Sequence, residues 1–171
     1  MKLNKLQICF LIIVLSTLLS SCKLVEYLQQ DEFYRNGSEL DHLRFPLIKP
    51  YFAIYITSEY GWGIHLPSGI PDSNIYYYTQ LNDIQEISVE NGIIMVYTSY
   101  EQDVDKSIGE KVYNWFVLIP DQGIEMGFEN EEDFLAYIQQ NDIQQPSWRK
   151  PDDILKEYDE TWCLAWIPTC N

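Results

Sequence analysis

Between residues 51 and 128 the chain breaks into short runs that suit strands, each closed by residues that suit a turn. No other feature limits its folding so strongly. Residues 51–58 set Phe52, Ile54 and Ile56 against Tyr51, Ala53, Tyr55 and Thr57, a period of two rich in β-branched and aromatic side chains. Glu59-Tyr60-Gly61 divides this run from residues 62–66, which predicts a hairpin. Residues 67–74 carry the Pro, Gly, Ser and Asn of an irregular loop, and an aromatic strand is expected over residues 75–79. Asn91-Gly92 stands between the runs 84–90 and 93–100, and both residues tolerate the positive φ of a type I′ turn. A third pair, 112–119 and 124–128, is joined by Pro120-Asp121-Gln122-Gly123.

After residue 128 the period lengthens. Asn130 suits a helix cap, Glu131-Glu132-Asp133 places acids at the positive end of the helix dipole, and Phe134, Leu135, Tyr137 and Ile138 form a stripe. A second helix is predicted from Pro151, with Asp152-Asp153 behind it and Ile154, Leu155 and Tyr158 on its apolar side. Strands followed by helices, without βαβ alternation, predict an α+β fold: an antiparallel β-meander of about six or seven short strands with two C-terminal helices packed on it. Upstream, residues 24–35 predict one short, weak helix closed by Asn36-Gly37, and Pro46 and Pro50 mark residues 37–50 as a spacer. Residues 50–171 are thus expected to form a single α+β domain, and residues 22–49 a tether and lead-in segment.

The first residues have another purpose. Residues 1–5 hold Lys2 and Lys5 and no acid, and residues 6–19 follow as an apolar run too short to cross a bilayer, the charge and length pattern of a secretory signal. The segment ends in Leu19-Ser20-Ser21-Cys22, which resembles the lipobox of bacterial lipoproteins. The resemblance implies that residues 1–21 are a lipoprotein signal peptide, removed before Cys22, and that the Cys22 sulfur carries a diacylglyceryl group. Two or more acyl chains on one residue anchor far more firmly than one. Lys23 follows the cysteine, where an aspartate often signals retention at the inner membrane; its absence favours the outer membrane if the source has one. The closing third, from Tyr113 to the helix of Phe134 and Ile138, also resembles small bacterial lipoproteins, a likeness that names no activity.

Processing changes the arithmetic. The whole chain carries 11 basic and 26 acidic residues, a formal charge of −15, and loss of Lys2 and Lys5 makes the remaining 150 residues more acidic, at −17. Such a charge repels nucleic-acid phosphates and anionic headgroups, so the partners expected are the membrane, through the lipid alone, and a basic protein. Of four cysteines, Cys9 leaves with the signal and Cys22 is acylated. Cys163 and Cys170 remain, and an even pair in an exported chain reads as a disulfide. Six intervening residues do not make the spacing of a redox-active pair.

Nothing in the chain reads as a catalytic motif. There is no Gly-x-Ser-x-Gly elbow, phosphate-binding loop or His-Glu-x-x-His helix, and His42 and His65 have no histidine at ligand spacing. Asp103-Val104-Asp105-Lys106-Ser107 begins like a calcium loop and fails where Ile108 replaces the required glycine, so neither metal nor cofactor is expected. The aromatic residues Trp62, Tyr76, Tyr78, Tyr97, Tyr113 and Trp115 fall on neighbouring predicted strands and supply either core or a binding surface. The sequence therefore describes a lipid-anchored, acidic cell-envelope protein that acts by binding. An immunity-type protein neutralising a basic toxin, and an envelope hydrolase using paired carboxylates, are the two alternatives.

Overall fold

The computed structural model of the chain describes residues 31–35, 43–67, 72–75, 78–99 and 111–170. Among them are nine strands: β1 (Arg44–Pro46), β2 (Phe52–Thr57), β3 (Gly61–His65), β4 (Asp72–Ser73), β5 (Gln80–Leu81), β6 (Ile84–Glu90), β7 (Ile93–Thr98), β8 (Trp115–Ile119) and β9 (Ile124–Phe128). Three helices accompany them, α1 (Glu32–Arg35), α2 (Glu131–Gln140) and α3 (Pro151–Thr161). The fold is α+β. Its strands divide between two sheets, one of order β1-β2-β3-β5 and one of order β4-β9-β8-β7-β6, where a single meander was expected. All pairs are antiparallel except β4 with β9, which is parallel.

The division follows from β8. Its last four side chains, Phe116, Val117, Leu118 and Ile119, are all buried, so both faces of the second sheet need cover. Phe116 and Leu118 point with Ile94, Val96 and Ile87 into a core shared with Phe45, Ala53, Trp62, Ile64 and Leu81 of the first sheet. Val117 and Ile119 point the other way, with Met95, onto Phe134 and Ile138 of α2. Asn130 caps α2 as its sequence predicts, its side chain accepting from the Asp133 N–H at 2.9 Å. Pro151 opens α3, which buries Ile154 and Tyr158 in the inter-sheet core. The Asn91-Gly92 turn takes the expected positive φ values, 50° and 83°.

Two expectations change. No strand holds Ile75, Tyr78 or Thr79: β4, before them, belongs to the second sheet and β5, after them, to the first. The Ile75 N–H donates to Ser73 Oγ and the Tyr78 N–H to the Ile75 carbonyl. The folded body also begins earlier than residue 50. Arg44–Pro46 is an edge strand, the position where a proline costs no ladder bond, and Phe45 and Leu47 are wholly buried. Of the predicted helix over residues 24–35, Glu32–Arg35 is helical, Asp31 precedes it outside the helix, and residues 24–30 lie outside the described residues.

Cys163 and Cys170 form the expected disulfide, with Cα atoms 5.5 Å apart. Leu164 and Ile167 inside this loop are buried in the inter-sheet core, and Trp166 Nε1 donates to the Pro46 carbonyl at 3.1 Å. Replacing both cysteines by serine is expected to lower stability by about 2 to 3 kcal/mol, read as a shift in the urea midpoint. Gly127 gives a second test, because a Cβ there would lie 2.6 Å from Ile75 Cγ2 and 2.7 Å from Tyr113 Cγ. Gly127→Ala is expected to cost about 1 to 3 kcal/mol by overpacking, and an unchanged midpoint would contradict the close approach.

Candidate functional site

The expected aromatic surface separates into two groups. Trp62, Tyr78 and Tyr113 are 5%, 8% and 7% exposed and belong to the inter-sheet core, not to a surface. Trp62 and Tyr78 are held by their side-chain polar atoms. Trp62 Nε1 donates to Asp152 Oδ1 at 2.8 Å, and the Tyr78 hydroxyl donates to the Lys111 carbonyl and accepts from the Tyr113 N–H. Tyr97 and Trp115 stay half-buried on the helix side of the second sheet, stacked at 4.3 Å between centroids. Tyr76, His42, Cys22 and the acidic loop 103–107 lie outside the described residues. His65 is exposed at the end of β3.

Register explains the stack. Glu86 of β6 opposes Tyr97 of β7, Tyr97 opposes Trp115 of β8, and Trp115 opposes Phe128 of β9, so the four side chains form one row across the outer face. At the Phe128 end α2 covers the row, with Phe134 against both Trp115 and Phe128. Trp148 adds a third large ring beside Trp115, 5.9 Å between centroids and tilted by 56°. It is placed by the segment after α2: the Ser147 N–H donates to Ser88 Oγ, and Arg149 exchanges two backbone hydrogen bonds with Ile87 at 2.9 Å. Trp148 was not among the residues expected. Its only sequence signal is an isolated tryptophan in a polar linker, which periodicity does not register.

The hydrolase alternative needs two carboxylates facing a substrate. One carboxyl group has an unusual setting, that of Glu125, which is 3% exposed on the inner face of β9. Burial raises its pKa above the ordinary carboxylate value, and the hydrogen bond donated by the Tyr51 hydroxyl at 2.8 Å partly opposes the rise. Tyr51 is pushed upward as well, by its own burial and then by Glu125. The pair joins the two sheets from inside, whereas a general acid must reach a substrate. Among the described residues no three His, Cys, Asp or Glu side chains assemble as a metal site.

A shallow groove of about 320 Å³ lies between α1 and the β1–β2 turn, lined by Asp31, Phe33, Arg44, Lys49 and Phe52 among others. Three of its four charged groups are engaged with one another or with a ring: Lys49 meets Asp31 at 3.0 Å, and the Arg44 guanidinium sits 5.4 Å over the Phe52 ring. The half-buried ring row is the better candidate. No protein-family model, curated protein or solved structure matches the chain.

The setting of Glu125 makes stability depend on pH with a defined sign. Its raised folded-state pKa means that the folded chain keeps the proton to higher pH than the unfolded chain, which releases it near pH 4.5. This group therefore contributes most below that value, and its contribution falls as pH rises through the folded-state value. Relative to wild type, Glu125→Gln is expected to gain stability as pH is raised from 4 to 7, and a pH-independent difference would contradict the assignment. Tyr51→Phe leaves the carboxyl without its donor and is expected to cost about 1 to 3 kcal/mol at pH 7.

Proposed function

We propose that this chain is a lipid-anchored, acidic protein of the bacterial cell envelope, at the outer membrane where the source has one, that works by binding a protein partner. The observation that carries the anchoring is Leu19-Ser20-Ser21-Cys22 directly after a short charged and apolar leader. A disulfide between Cys163 and Cys170 supports an oxidising compartment. The binding surface is the half-buried face of Tyr97, Trp115 and Trp148, since rings of this kind combine a large apolar body with a polar edge. A net charge of −15 favours a basic partner and speeds its approach.

Neutralisation of a basic toxin is the narrower form of the same reading. It draws support from exposed acids at the start of both C-terminal helices, Glu131, Glu132 and Asp133 on α2 and Asp152 and Asp153 on α3.

Two measurements test the reading. Cys22→Ala is expected to leave the membrane fraction for the soluble one, and a variant that still partitions with membranes would overturn the anchor. Affinity capture from native envelopes with the acylated chain is expected to recover a reproducible basic protein, and to lose it with Tyr97→Leu. Equal recovery by wild type and variant would remove the ring row from the interface.

A further inference from the structure

Five polar aromatic edges at the inter-sheet core have partners within the molecule. The hydroxyls of Tyr51, Tyr78 and Tyr158 bond Glu125, the Lys111 carbonyl and the Tyr34 carbonyl, and the indoles of Trp62 and Trp166 bond Asp152 and the Pro46 carbonyl. The outer row differs. The Tyr97 hydroxyl, the Trp115 and Trp148 indole N–H groups and the Glu86 carboxylate make no side-chain hydrogen bond or ion pair with any described residue. None of these atoms is a buried orphan, since among the described residues only Thr98 Oγ1 and Thr169 Oγ1 are enclosed without a partner. All four residues are half-buried, so their polar atoms meet solvent at one corner of the sheet.

Within the row itself the charge density is of one sign; two cations, Arg149 and Lys150, follow Trp148, and Arg149 is paired with Glu157. Glu86 and Tyr97 are cross-strand partners, at the end of a register shift between Ile84 and Glu86. Trp115 backs Tyr97, and Trp148 closes the row from above Trp115. The faces of aromatic rings carry negative charge density, and a carboxylate beside them adds a full charge. A neutral ligand gains little from that charge, whereas a cation gains from the rings and from the carboxylate together. The chain as a whole, at −15, attracts the same sign.

We propose that Glu86, Tyr97, Trp115 and Trp148 form a receptor for one cationic side chain of a basic protein partner, an arginine or lysine laid against the rings with its charge beside Glu86. This deepens the binding reading and rests on it. The acids of α2 and α3 steer the partner, and the corner fixes its register.

The test uses the full acylated chain in detergent micelles, with the indole N–H resonances of Trp115 and Trp148 followed by NMR. N-acetyl-arginine amide is expected to shift both resonances saturably, and N-acetyl-citrulline amide, its neutral isostere, to bind at least about fivefold more weakly. Glu86→Gln and Tyr97→Leu are each expected to weaken the arginine probe about two- to fivefold, while Asp121→Asn, at an exposed acid in the β8–β9 turn, leaves it unchanged. Glu86→Gln alters no packing volume, so it keeps the test decisive if Tyr97→Leu unfolds. An equal loss with Asp121→Asn would show diffuse attraction and overturn the proposal. Equal binding of the citrulline probe, or tighter binding of chitotriose, would make the corner a neutral-ligand or glycan site and overturn it too. If the probe leaves the indoles unmoved while Tyr97→Leu still abolishes partner capture, the cation inference falls and the binding reading stands.

Discussion

A strand whose side chains are apolar on both faces cannot lie at a surface, and the molecule is arranged around that constraint at β8. Phe116 and Leu118 require one layer and Val117 and Ile119 another, so the second sheet is held between the first sheet and α2. Everything else completes one of those covers. Helix α3 and the loop of Leu164 and Ile167 fill the inner core, and the segment through Trp148 finishes the outer one. The two layers differ in polarity. The inner one encloses a carboxyl, Glu125, and satisfies it with a phenol from the opposite sheet; the outer one leaves its polar edges toward water.

Much of this was legible in the chain. The Asn91-Gly92 turn, the Asn130 cap and the Pro151 helix start each depend on a local rule, positive φ, an accepting side chain or a missing N–H, and each appears where its residue stands. What failed was non-local. Residues 75–79 have strand composition, but the strands before and after them lie in different sheets: the Tyr78 N–H turns back to the Ile75 carbonyl, while Thr79 accepts from Leu66 beside β3. Pro46 reads as a spacer residue until β2 is seen beside it, when it becomes an edge strand.

The candidate surface was half legible for the same reason. Composition marks aromatic residues on strands, but only register shows that Tyr97 and Trp115 share the outer face while Tyr113 and Tyr78 pack inward. Glu86 carried no signal as one acid among 26; its meaning comes from standing opposite Tyr97. Trp148 reaches the row through backbone pairing at Arg149 and Ile87, which no sequence period announces.

The inner core draws on both ends of the described chain. Tyr34, Phe45 and Leu47 share it with Leu164 and Ile167, and the Tyr158 hydroxyl and the Trp166 indole bond the Tyr34 and Pro46 carbonyls. A growing chain therefore cannot finish this core until its last residues have emerged, because the final plug is encoded after every strand it covers. Contacts of such sequence separation form slowly.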